Sequence, residues 1–142
     1  MHVASILDIK GHDVVTLAPG KTLSDAARTL ESRGIGTVVV TDGNTVLGIL
    51  SERDIVRAIA RLGVSALSAP ISEHMTKSVK TCARADTLHS LMERMTEGRF
   101  RHMPVIEAGQ LAGIVSIGDV VKFRLGELEY EASAMREYIA SA

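Results

Sequence analysis

The chain has 142 residues, 46% apolar but only 3% aromatic, so its core must be built from aliphatic side chains and methionine. A formal net charge of −1 argues against a broad phosphate-binding surface, and no basic and aromatic residues interleave as a nucleic-acid stacking platform would need. The single cysteine, Cys82, excludes an intramolecular disulfide and a thiolate zinc cage within one chain. It fits a reducing compartment. Residues Met1–Asp8 lack the basic region and apolar run of a signal peptide, and no aliphatic run approaches a bilayer span. The expectation is a cytoplasmic protein without membrane contact.

In chain order, a short strand is predicted over Asp13–Leu17. A helix follows, capped by Thr22, with Leu23, Ala26, Ala27 and Leu30 at i, i+3, i+4 and i+7. Strands over Thr37–Thr41 and Val46–Leu50 flank the turn Asp42-Gly43-Asn44, and a second helix begins after Ser51. Arg61–Ile71, with Gly63, two serines and Pro70, reads as a break. The series then returns: a strand over Ser78–Cys82, a helix from Thr87 with Leu88, Leu91, Met92 and Met95 on one face, and strands over His102–Ile106 and Leu111–Val115. A helix follows Ser116. Pro104 inside its strand marks an edge or a place where backbone pairing stops.

The return is a duplication at an offset of 65 residues. Between positions 14 and 57, 11 of 44 residues equal their counterparts, where chance would give roughly three. One unit of about 45 residues leaves a sheet face bare, so two should pack face to face about a pseudo-twofold axis with a cleft between them. The expected class is α/β (α+β): two β-α-β-β-α repeats with pseudo-twofold symmetry, plus a C-terminal helix. The boundaries are 1–62 for the first repeat, 63–71 for a linker, 72–125 for the second repeat and 126–142 for the helical extension.

The sharpest motif is Gly48-Ile49-Leu50-Ser51-Glu52-Arg53-Asp54, which recurs as Gly113-Ile114-Val115-Ser116-Ile117-Gly118-Asp119. Glycine leaves room beside the strand for an approaching group. The serine hydroxyl stands where strand becomes helix, and the aspartate offers two acceptor oxygens to a ribose cis-diol. The helix N-terminus behind them favours phosphate. The same Ser-x-x-Asp is also a capping box, which would retain both residues without any ligand. Capping requires neither the glycine nor the preceding strand.

With the duplication, this motif and Phe100-Arg101-His102-Met103-Pro104-Val105, the chain resembles the CBS domain, named after cystathionine β-synthase, over roughly residues 3 to 125. Ile71–Thr76 resembles the lead-in to a second copy. The resemblance implies a tandem pair, or Bateman module, whose clefts hold AMP, ADP, ATP or a related adenosine compound, in some members NADH. It implies a regulatory role without catalysis, a homodimer formed through helices and a regulated partner protein. Carried over residue by residue, the first pocket would use Thr16, Ala18, Val38, Val39, Ser51 and Asp54, and the second Thr81, Ala83, Met103, Pro104, Ser116 and Asp119. Gly36 and Thr37 align with Arg101 and His102, and Arg53 with Gly118, so the two sites should differ. Arg53, Arg101 and His102, with Arg99, are the candidate phosphate ligands. Arg99 reads equally as part of a solvated turn, and His102 as a structural hydrogen-bonding residue.

Other features carry less. His2, His12, His74 and His89 have no metal-ligand spacing, and Cys82 on a buried strand reads as a small core residue. An NADH-binding or thioredoxin-linked redox regulator and a ligand-free dimerisation module are the alternative functions. Catalysis of the barrel type found with some CBS pairs would need at least about 200 further residues. In the tail, Val121, Leu125, Leu128, Ala132, Met135 and Ile139 form a heptad-like stripe that needs a partner, either a second subunit or the chain itself.

Overall fold

The computed structural model describes residues 1–141. In order these form α1 (Val3–Lys10), β1 (Thr16–Leu17), α2 (Leu23–Arg33), β2 (Thr37–Asp42), β3 (Thr45–Ser51) and α3 (Glu52–Leu62). After two 3₁₀ turns, Gly63–Ser68 and Ile71–Glu73, come α4 (Leu88–Gly98), β4 (His102–Glu107), β5 (Gln110–Ser116) and α5 (Ile117–Ser141). The first copy holds a three-stranded sheet, β1-β2-β3, and the second a two-stranded one, β4-β5.

Local chemistry places the helix starts. Thr22 makes a full capping box with Asp25, its hydroxyl accepting from the Asp25 N–H while the Asp25 carboxylate accepts from the Thr22 N–H. Thr87 caps α4 through the Ser90 N–H alone. The helix ends use a left-handed residue at equivalent positions, Gly34 (φ 64) after α2 and Arg99 (φ 55) after α4. Strand alternation then sends Val38, Val40 and Leu50 into one core with Leu23, Ala26, Leu30 and Ile55. Met103, Val105 and Val115 enter a second core with Leu88, Leu91, Met95 and Val120.

The first strand of each copy is shorter than predicted, and Pro104 explains the difference between them. In the first copy the Val39 N–H donates to Val15 O at 3.2 Å, and Thr16–Leu17 pairs in parallel with Val39–Val40. The counterpart of Val39 is Pro104, which has no N–H to give. The segment Ser78–Cys82 therefore keeps only the bridge Cys82↔Val105, with Cys82 N–H donating to Pro104 O and Ile106 N–H to Cys82 O.

The cores do not follow chain order. Val3, Ile6 and Leu7 of α1 are buried in the core of the second copy, whereas Ala66 and Ile71, placed in a linker by sequence, are buried in the first. α5 runs unbroken through Gly126, so residues from 126 onward continue the last helix of the second copy. From Leu128 to Ser141 every side chain is exposed, and Ala142 lies outside the described residues. The stripe thus finds no partner in its own chain among the described residues.

The copies meet through equivalent residues. Thr37 Oγ1 and His102 Nδ1 share a hydrogen bond of 3.2 Å, and these positions are related by the 65-residue offset. Counterparts that touch must straddle the symmetry line, which fixes the pseudo-twofold axis there. The Leu111 N–H also donates to Asn44 O at 3.0 Å.

Candidate functional site

Each copy ends its last strand on a serine and begins the next helix beneath it. At Ser51 the N–H donates to Asp54 Oδ2 (2.9 Å), the hydroxyl donates to the same oxygen (3.1 Å), and the Asp54 N–H donates back to Ser51 Oγ (3.3 Å). At Ser116 the N–H donates to Asp119 Oδ2 (2.9 Å) and the Asp119 N–H to Ser116 Oγ (3.1 Å). Both motifs are therefore caps. In each, only Oδ2 is used by the chain among the described residues. Both aspartates are half-buried.

The helix N-termini are already partly spent. Glu52 N–H donates to Gly36 O (3.0 Å) and Ile117 N–H to Arg101 O (2.7 Å), again at equivalent positions. With the third N–H of each helix on its serine, the second, at Arg53 and Gly118, is left for an anion.

The motif glycines serve the chain itself. A Cβ on Gly48 would stand 2.6 Å from Met75 Sδ and 2.8 Å from Thr76 O, and one on Gly113 would stand 2.7 Å from Leu7 Cδ2. The expectation that glycine clears space for a ligand is corrected: the lead-in segments of the two copies fill it. Thr76 also exchanges two backbone hydrogen bonds with Ile49.

The remaining candidates divide by face. Val38 and Met103 point into their own cores. Val39 and Pro104, also buried, lie on the alternate face with Thr37 and His102, the face where the copies touch. Ala18, Ala83, Thr16, Arg53 and Arg101 are exposed, and Thr81 and His102 half-buried. Burial, then the charge of Lys10, hold the His102 imidazole below its ordinary pKa. Burial pushes the Cys82 thiol up to about 12, so it is a core residue and no nucleophile at neutral pH.

Lys10, which motif reading passed over, lies on Asp119: its Nζ donates to Oδ2 at 2.6 Å and to Ile114 O at 3.1 Å. Burial alone would raise the Asp119 carboxyl, but the bonds from Lys10 and the Ser116 N–H hold it below the usual carboxylate value. Sequence reasoning also missed Arg57 and Arg61 and set His74 aside as no metal ligand; with Asp54, Ala58 and Glu73 these line a polar cavity of about 180 Å³. The spacing of Asp54, Arg57 and Arg61 along one helix face was the available signal.

A family model described as the CBS domain matches twice, at residues 6–61 and 71–126. The chain belongs to the CBS-domain family. A CBS-domain-containing protein of Agrobacterium tumefaciens has the same fold, with TM-score 0.84, 53% identity and coverage of 87% of this chain and 99% of that one. A CBS-domain protein from Pyrobaculum aerophilum, solved in complex with AMP, aligns at TM-score 0.74 and 27% identity over 84% of this chain and 89% of its own. A protein of Acidianus ambivalens is 35% identical over 77% of this chain, which spans 66% of that relative. The two matched segments make this a CBS pair, and its motif aspartates stand at the same point of each CBS unit. Among the described residues no helix is long and apolar enough to cross a membrane.

Proposed function

We propose that the CBS pair is a regulatory module that binds an adenine nucleotide of the AMP, ADP or ATP type at Asp54 and Asp119, passes occupancy to a partner protein and catalyses nothing itself. The observation that carries this reading is the pair of half-buried aspartates at equivalent strand-to-helix switches, each capped through Oδ2 and keeping Oδ1 for one hydroxyl of a ribose cis-diol whose other hydroxyl would share Oδ2. The AMP complex of the Pyrobaculum relative supports the ligand class. In this reading the ribose lies on the aspartates, with Ser51 and Ser116 beside it. The adenine lies against Val39 or Pro104, near the backbone of Thr16–Ala18 or Thr81–Ala83 and of Val38 or Met103. Arg53, Arg101 and His102 receive phosphate, and a buried Cys82 suits a reducing cytosol. Calorimetric titration with AMP, ADP, ATP and NADH tests it. Micromolar binding of an adenine mononucleotide with a raised melting temperature is the expected result. Exclusive binding of NADH would favour the redox alternative, and no binding would leave a dimerisation module.

A second part of the proposal is a homodimer. α3 exposes Val56, Ile59 and Leu62, and α5 exposes Val121, Leu125, Leu128, Met135 and Ile139. These are more large apolar side chains than a lone helix face leaves in water. Light scattering should give twice the chain mass at tens of micromolar, and removing residues 129–142 should weaken the association.

A further inference from the structure

The two motif aspartates have unlike neighbours. The counterpart of Lys10 at the 65-residue offset is Met75, which is uncharged and packs over Gly48; Arg57, Arg61 and His74 share a cavity with Asp54, but none makes a hydrogen bond or ion pair with it among the described residues. On Asp54 Oδ2 the place of the ammonium is taken by the hydroxyl of Ser51, at 3.1 Å. A hydroxyl rotates away at the loss of one weak bond. The Lys10 ammonium makes two bonds, to Asp119 and to Ile114 O, and its side chain is only 36% exposed. It is also tethered: Val3, Ile6 and Leu7 anchor α1 in the second core, so Lys10 stays near Asp119 at high effective concentration.

We propose that Lys10 is a built-in competitor for the carboxylate of the second cleft, so that a nucleoside must expel the ammonium from Asp119 before its diol takes both oxygens. The inference rests on the nucleotide reading above. The Asp54 cleft then fills first and the Asp119 cleft only at higher ligand concentration, although both copies carry the same motif. Filling the second cleft also releases the Lys10 side chain from the C-terminal end of α1, next to Gly11 at φ 96, while His12 Nδ1 stays hydrogen-bonded to Ala112 O at 3.0 Å. One ligand would be read over two concentration ranges, with the end of α1 reporting the upper one.

The test is calorimetric titration of adenosine and AMP into the full chain carrying D54N, with and without K10M or K10R, alongside the nuclear magnetic resonance signal of the Gly11 amide. K10M should tighten adenosine binding at the remaining cleft about fivefold, the factor expected from losing a half-exposed ion pair. K10R should stay as weak as Lys10, and the Gly11 signal should move as that cleft fills. Unchanged or weaker adenosine binding in K10M overturns the proposal. Loss of AMP affinity alone would also overturn it, making Lys10 a phosphate ligand. If wild type and every variant fail to bind adenosine and AMP, the nucleotide reading itself falls and the competitor role with it.

Discussion

Asp54 and Asp119 hold the same place in two copies of one unit, yet the Ser51 hydroxyl lies on Oδ2 of the first and the Lys10 ammonium on Oδ2 of the second. Similar pairs occur elsewhere: Val39 against Pro104, Gly34 against Arg99, Gly43 against Ala108, the last also at positive φ in both copies. Duplication kept what the backbone needs locally, the caps and the carbonyls of Gly36 and Arg101 on the helix starts. It relaxed what tertiary neighbours can absorb. The second copy consequently has the shorter sheet, more left-handed residues with side chains, and a carboxylate with an internal partner.

The largest expected contrast is between the motif glycines. G48A drives a methyl against the backbone oxygen of Thr76, which is held in a bridge, whereas G113A meets only the end of the Leu7 side chain. Urea denaturation should show losses of about 2–3 kcal/mol and about 1 kcal/mol respectively. Equal losses would break the comparison.

V39P should convert the first copy to the pattern of the second, removing the bond to Val15 O at a cost of about 1–3 kcal/mol. P104V should do the reverse, and hydrogen exchange should find a protected amide at residue 104. A smaller contrast lies in the helix ends. R99G should gain about 0.5–1 kcal/mol because a side chain at φ 55 is strained, while G34A should lose a similar amount. Unaltered nucleotide binding in R99G would assign Arg99 to the turn.

The smallest effect is on pH. His102 is held neutral, with its pKa below the ordinary 6.5, while the unfolded chain protonates near that value. Its contribution is therefore complete above pH 6.5 and is lost as pH falls through the depressed value. The melting temperature should decline on acidification through this range, and H102Q, which cannot protonate, should flatten the decline. Thr37, at the same place in the first copy, contributes no such slope.

Much of this was legible in the sequence because it depends on neighbours a few residues apart. Thr22 with Asp25 and Ser51 with Asp54 declare their caps by spacing, and Pro104 declares a broken ladder by lacking a proton. Alternation and period place β2 to β5 and α2 to α5, but they overextend the first strand of each copy and give no sign of α1. What escaped depends on contacts between distant segments. The burial of α1 in the second core needs the assembled fold, and the glycine role was misread because Met75, Thr76 and Leu7 arrive from elsewhere. Lys10 carries no motif and meets Asp119 across 109 positions. The candidate adenine residues split because strand alternation sends Val38 and Met103 inward while Val39 and Pro104 face the other copy.

The most direct measurement is calorimetric titration of AMP into wild type, D54N and D119N. Asparagine keeps one oxygen to accept the serine N–H, so the caps survive while the second acceptor for a diol is lost. The account predicts two binding events in wild type, with D54N losing the tighter and D119N the weaker. AMP binding unchanged in both variants would contradict it, leaving these aspartates as caps alone.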